Sequence, residues 1–296
     1  MIRQRQLGKS SFSITEVSFG CMSLTNSPDA IRLIHQAVDS GINFFDTADL
    51  YDKGANEALL GKAVKDKRNQ LRISSKVGNQ WRQDGSGWDW NPSKKYILSA
   101  IDRSLERLGT DHLDLYLLHG GTLEDPIDES IEAFERLIEQ GKILSYGISS
   151  IRPNVIREWV SRSGISAVMT QYSFLDRRPE EETLQLLNEN GIGVLARGTI
   201  AGGLLAGKKP AAYLDMSEIE VARRIEVFQN ETGELPSSQA AVRFAAETPG
   251  ITTAVVGIRT QEQLKDAIAS SQISFGRIAR DRVASSALPN TYTAHR

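Results

Sequence analysis

One pattern constrains this chain more than any other. A short apolar run closed by a polar residue, then a segment of helical periodicity, recurs eight times. The apolar runs are residues 17–20, 42–45, 71–75, 113–118, 143–148, 167–170, 192–196 and 252–256. Each is short and bounded by turn residues, as buried strands are. The segments between them carry helix signals. Ser27-Pro28-Asp29 supplies a serine cap, a proline at the first helical position and an acidic first turn. Gly41, Gly109, Gly141 and Gly191 stand where helices should stop. Helices are expected over 56–68, 93–108, 128–140, 153–160, 179–190, 217–232 and 238–247, with 261–269 as the last long one. Residues 78–92 read as a long polar loop.

Eight consecutive strand–helix units point to a closed (β/α)8 TIM barrel. A short N-terminal β-hairpin is expected ahead of it, pairing 3–7 with 12–14 around Gly8-Lys9-Ser10-Ser11. A doubly wound open sheet is the alternative. It is disfavoured as a Rossmann fold, because Gly20-Cys21-Met22-Ser23 follows the first strand where G-x-G-x-x-G would stand. No linker or composition shift divides the chain, so one domain over 1–296 is expected. The length of 296 residues suits such a barrel.

Net charge is −2 and charged residues are 24%, which argues against nucleic acid or an anionic membrane as partner. No apolar run approaches the ~18 residues of a spanning helix. The first residues lack the apolar stretch of a signal peptide. Cys21 is the single cysteine, so no intrachain disulfide can form. A cytoplasmic, monomeric protein is expected, with no metal-ligating set.

A barrel gathers the C-terminal ends of its strands on one rim, where ligands bind. Asp46 closes the second strand and Tyr51 follows in its loop; Lys76 stands after the third and His119 after the fourth. A tyrosine, with a reference pKa of about 10, becomes a useful acid near neutral pH beside a cation. The set is suited to protonating an oxygen on which negative charge develops. Ser149, Gln171, Arg197 and Arg259, at later strand ends, are donors suited to a polar cofactor carrying an amide and phosphates. Singly, each has a plain structural reading: a loop tyrosine, a solvated lysine, a histidine at the edge of the core. Their shared placement at strand ends carries the argument.

The stretch Asp46-Thr-Ala-Asp-Leu-Tyr51, followed by Asn56-Glu57, resembles the signature of the aldo-keto reductase superfamily. Further matches follow in order: Ser75-Lys76, Leu117-Leu118-His119, Gly147-Ile148-Ser149, Gln171-Tyr172-Ser173, Gly203-Leu204-Leu205-Ala206-Gly207-Lys208 and Gly257-Ile258-Arg259. The resemblance covers nearly the whole chain. It implies a barrel binding an extended nicotinamide dinucleotide, NADPH, and reducing a small aldehyde or ketone. On that resemblance Tyr51 is the proton donor, Lys76 lowers its pKa, Asp46 pairs with Lys76, and His119 orients the carbonyl. Ser149 and Gln171 would hold the nicotinamide carboxamide, with Gly20, Cys21, Met22 and Asp46 beside the cofactor. Gly198, Thr199, Ile200, Gly202, Gly203 and Leu204 would wrap the pyrophosphate. Arg259 would face the 2′-phosphate, with Gln263 and Asp266 near the adenine and Gly257 beside the cofactor. Two positions depart from the family pattern. Ser150 stands where asparagine is common, and Arg197 where a stacking tyrosine is frequent. Trp81, Trp88 and Trp90 are candidate pocket walls, or covers of the barrel top. A nicotinamide-binding regulatory protein and a phosphate-handling barrel isomerase or aldolase are the rival readings.

Overall fold

Eight parallel strands close on themselves in the structure, a computed structural model that describes residues 2–296. They are β1 (Val17–Gly20), β2 (Phe44–Asp46), β3 (Arg72–Val77), β4 (Leu115–Leu118), β5 (Tyr146–Ser149), β6 (Ala167–Gln171), β7 (Gly193–Arg197) and β8 (Ile251–Gly257). Each pairs with the next, and β8 pairs with β1 through Ala254↔Val17 to Gly257↔Gly20. The helices between them are α1 (Pro28–Asp39), α2 (Ala55–Val64), α3 (Lys94–Leu108), α4 (Ile127–Glu139), α5 (Pro153–Arg162), α6 (Thr183–Glu189), α7 (Glu218–Thr232), α8 (Ser237–Glu247) and α9 (Gln261–Ser270). The cap signals act as read. Ser27 accepts from the Ala30 amide and Ser93 from the Tyr96 amide, while Gly109 ends α3 in the left-handed region.

Strand residues alternate between two cores. Phe44, Leu115, Leu117, Ala167, Met169, Leu195 and Val255 fill the barrel interior. Their neighbours Phe45, Ile73, Tyr116, Leu118, Val168 and Val194 face the helices, packing in one cluster with Ile34, Leu60, Ile101, Phe134 and Ile156. This alternation decides where the polar strand ends point, as shown below.

The N-terminal hairpin pairs Gln4–Gln6 with Ser13–Thr15 and covers the end of the barrel opposite the polar rim. Its Leu7, Phe12 and Ile14 join the interior cluster. Arg5 donates to the carbonyls of Ala246 (2.6 Å) and Ile251 (2.9 Å), and the Thr15 amide donates to Asn43 Oδ1 at 2.7 Å. Glu16 holds Arg5 on one oxygen (2.6 Å) and Arg243 on the other (2.7 Å). These bonds fasten the plug to the bases of β2 and β8.

Three expectations need correction. Residues 78–92 are not a loop throughout: Asn79–Trp81 and Trp88–Trp90 form an antiparallel hairpin, with Trp81 opposite Trp88. Aromatic residues favour strands, and Gly85 and Gly87 permit the turn. The helix expected over 179–190 is a 3-10 turn, Arg178–Glu180, followed by α6. The helix over 261–269 is not the last long one: beyond α9 lies α10 (Gly276–Ser285), of equal length and rich in arginine. Among the described residues, no helix is long and apolar enough to cross a membrane.

Candidate active site

The inward register of β2, β3 and β4 brings Asp46, Lys76 and His119 together above the apolar interior. Asp46 is two residues beyond inward Phe44, and His119 is two beyond inward Leu117. Tyr51 comes from the loop, at the start of a 3-10 turn, Tyr51–Gly54. In that turn Asp52 (φ 47°) and Lys53 (φ 53°) both adopt left-handed backbone, a strained choice for residues bearing a Cβ.

Lys76 is fully buried. An ammonium has three donors, and Lys76 has three acceptors: Asp46 Oδ2 at 2.6 Å, the Thr47 carbonyl at 2.8 Å and the Tyr51 hydroxyl at 3.3 Å. Burial pulls its pKa down, but the Asp46 carboxylate and the Tyr51 hydroxyl outweigh burial, so the net shift is upward. Lys76 therefore holds its charge in the core. His119 meets the Tyr51 ring edge-on, with centroids 5.9 Å apart. Burial, then Lys76 and Arg197, push its pKa down to about 3. It is a neutral imidazole at pH 7, and its Nδ1 is buried without a hydrogen-bond partner.

Behind these groups lies a second layer that sequence reasoning missed. Ser74 donates to Asp46 Oδ1 at 2.6 Å. Thr47 donates to Asn56 Oδ1 (2.7 Å), and Asn56 donates to the Cys21 carbonyl (2.9 Å), tying β1, the 47–51 loop and α2 together. Buried Glu57 accepts from Ser75 (2.5 Å) and pairs with Arg107 (2.5 Å). Asp49 is buried with Oδ1 unpartnered. Burial, and then the charge of Glu57, push its pKa up to about 7. Ser74 was legible as the inward neighbour two residues before Lys76; the others lie in a loop and a helix, where strand alternation says nothing.

Tyr51, Lys76 and His119 line a cavity of about 670 Å³, walled by Trp88, Trp90, Leu50, Met22, Ile151 and Met169. Ser149, Ser150, Arg152 and Arg197 also face it. Trp81 does not line this cavity. Its indole donates to the Leu50 carbonyl at 3.2 Å, and it borders a neighbouring cavity of about 320 Å³ with Asp49, Lys53, Tyr96, Arg103 and Arg107.

The residues expected around a cofactor spread over the same rim. Gln171 donates to Asp176 (2.8 Å) and Tyr213 (3.1 Å), and its Oε1 accepts from Arg197 at 3.1 Å. One lone pair of that oxygen stays free for a carboxamide. Tyr213, in the loop before α7, left no signal in the sequence. The Ser150 hydroxyl accepts from the Arg152 amide at 3.2 Å. Gly198, Thr199 and Ile200 lead into a 3-10 turn, Ala201–Ala206, where Leu204 is buried. Gly202 and Gly203 have φ of 66° and 98°, and a Cβ at Gly202 would meet open space. Gly20 and Cys21 are buried beneath the rim and Met22 is exposed. Gly257 ends β8, and exposed Arg259 donates its amide to Gln263 Oε1 at 2.9 Å. Asp266 accepts from Ser238 (2.6 Å) and Gln239 (2.9 Å) of α8. An open glycine cradle between Arg197 and Arg259, neither of them in an ion pair among the described residues, fits an elongated polyanionic dinucleotide. No group of acidic, histidine and cysteine side chains suited to a metal occurs among the described residues.

Known proteins resemble this chain in sequence and fold. A family model described as the aldo/keto reductase family matches residues 16–282. The uncharacterized oxidoreductase YqkF of Bacillus subtilis (strain 168) is 44% identical over 277 residues, 90% of each chain. The solved holo form of aldo-keto reductase AKR11C1 from Bacillus halodurans superposes with a TM-score of 0.94 at 40% identity, covering 100% of both chains. The glycerol dehydrogenase AKR11B4 of Gluconobacter oxydans, at 22% identity and a TM-score of 0.85, shares the fold. The chain belongs to the aldo/keto reductase family.

Proposed function

We propose that the chain, as one catalytic domain, is an NADPH-dependent reductase of small aldehydes or ketones, with Tyr51 as the proton donor. The observation that carries this reading is the saturation of Lys76. Two of its donors are fixed by Asp46 and Thr47, and the third is aimed at the phenolic oxygen. The Tyr51 hydroxyl thus accepts from Lys76, leaving its own proton for a substrate oxygen in the cavity. When that proton leaves, the phenolate is stabilised by a buried cation 3.3 Å away, in a site where charges interact more strongly than in water. His119, neutral at pH 7, cannot act as an imidazolium acid; it contributes a hydrogen bond that orients the carbonyl. Asp46 and Ser74 keep the ammonium in place.

The cofactor, when bound, supplies the hydride to the carbonyl carbon. Ser149 and Gln171 would hold its carboxamide, the 198–204 segment its pyrophosphate, and Arg259 its 2′-phosphate. That the similar aldo-keto reductase AKR11C1 from Bacillus halodurans has a holo form supports a bound cofactor.

Tyr51→Phe tests the assignment, because it removes one O–H and leaves the ring against His119. Carbonyl reduction should fall by roughly 10²–10⁴-fold, while NADPH binding, followed by fluorescence titration, stays within about twofold. A kcat near that of the wild type in this variant would remove Tyr51 from the role.

A further inference from the structure

We infer that the pocket selects carbonyl substrates carrying an anionic group, a carboxylate or a phosphate, which Arg152 binds. This rests on the carbonyl-reductase reading and adds to it the class of substrate.

The charges lining the large cavity are of one sign. Lys76, Arg152 and Arg197 line it, and no aspartate or glutamate does. Lys76 is neutralised by Asp46 at 2.6 Å. Arg197 commits a donor to Gln171 on the cofactor side of the rim. Arg152 is left. It is half-buried and, among the described residues, makes no ion pair. Its one side-chain hydrogen bond there runs from Nη1 to the Gly121 carbonyl at 2.6 Å. A guanidinium carries five donors in a planar fork suited to bidentate anions.

The nearby acids do not serve it. Asp125 is held by Trp90 Nε1 (2.9 Å) and by the Thr122 amide (2.7 Å). Glu124, exposed on the same loop, makes no ion pair with it; Arg152 lowers the Glu124 pKa only as a more distant charge, after the loop's own hydrogen bonds from the Glu124 amide and Thr122. A partly desolvated cation without a counter-ion is an unfavourable arrangement, and an incoming anion relieves it. The carbonyl C–O must reach Tyr51, the Gly121 carbonyl fixes the guanidinium at the wall, and Trp88 and Trp90 supply apolar surface. A substrate with a carbonyl, an apolar middle and an anionic end satisfies all three.

The test uses matched aldehydes: 4-carboxybenzaldehyde, its neutral methyl ester, and 4-formylphenyl phosphate. In the wild type, kcat/KM for an anion should exceed that for the ester by about tenfold or more, as a charge-assisted hydrogen bond allows. Arg152→Gln should lower that ratio about tenfold, chiefly through KM, since the contact exists before and during reaction. Added salt should lower the ratio in the wild type. The anion with the larger Arg152-dependent ratio identifies the headgroup. A ratio unchanged in Arg152→Gln, or a wild type preferring the ester, overturns the inference. If the wild type reduces none of the three, the reductase reading fails instead. Quenching of tryptophan fluorescence by terephthalate then decides: weaker binding to Arg152→Gln supports the anion site, and equal binding overturns it.

Discussion

Asp49 and His119 are buried ionisable groups a few residues from Tyr51 and at its ring edge, and they respond to pH in opposite senses. Burial raises the Asp49 pKa from an ordinary 3.8 to about 7 in the folded protein. Between those values the folded protein keeps a proton that the unfolded chain has released. Stability therefore falls as pH rises through this window, and the penalty is full above about 7. His119 is the mirror case: its pKa drops from 6.5 to about 3, so stability falls as pH falls between them. Asp49→Asn should remove the first penalty. Its Tm should exceed that of the wild type by roughly 2 °C or more at pH 8, with the gap closing towards pH 4.5. A gap that is constant with pH would mean that Asp49 is not the titrating group. At this scale the sequence was legible where strand alternation applied. Asp46, Lys76 and His119 occupy inward positions on strands, so their meeting followed from register. Asp49 and Arg152 lie in loops, where burial depends on what the loop packs against.

The hairpin over Asn79–Trp81 and Trp88–Trp90 is the element that the sequence concealed. Its strands are three residues each, too short for alternation to announce them. Gly78 shows why the hairpin sits where it does: its φ is 123°, and a Cβ there would lie 2.6 Å from the Trp90 ring. The tryptophans have divided roles. Trp90 walls the cavity at Tyr51 and His119, fixed through its Nε1 by Asp125. Trp81 braces the segment carrying Tyr51, through the Leu50 carbonyl and a Lys53 ammonium 5.1 Å from its ring centroid. Trp90→Ala should change the ranking of aromatic against small aliphatic aldehydes. Trp81→Phe, which loses the N–H but keeps a ring, should lower kcat several-fold and leave the ranking alone. Identical changes in ranking for the two would refute the division. α10 escaped notice for a related reason: its charged composition gives no apolar stripe that reads as helix.

Across the whole molecule, the barrel was legible because every unit repeats the same two periods, and the strand order follows the chain without exception. The role of the N-terminal hairpin as a plug was not, since Leu7, Phe12 and Ile14 meet their partners only once the barrel is closed. The rim places Arg197 at the end of β7 and Arg259 after β8, so an extended dinucleotide would meet cations near both ends. NADPH differs from NADH by one phosphate, and exposed Arg259 at the start of α9 is suited to bind it. The wild type should bind NADPH at least tenfold more tightly than NADH. Arg259→Ala should weaken NADPH and spare NADH in a fluorescence titration; equal losses would assign Arg259 to the fold or the adenine. Barrel closure also has a consequence in time. Val17 pairs with Ala254, and Glu16 with Arg243, so the beginning of the chain is completed by nearly its end. At roughly 5–20 residues per second, a ribosome takes on the order of ten to fifty seconds to travel from one to the other. Throughout that interval Val17 lacks the β8 strand that later pairs with it, and Phe12 and Ile14 lack the closed barrel interior that later holds them. The strand at Val17 is synthesised long before the strand that seals it, and it stays sticky in every chain not yet extended to Ala254.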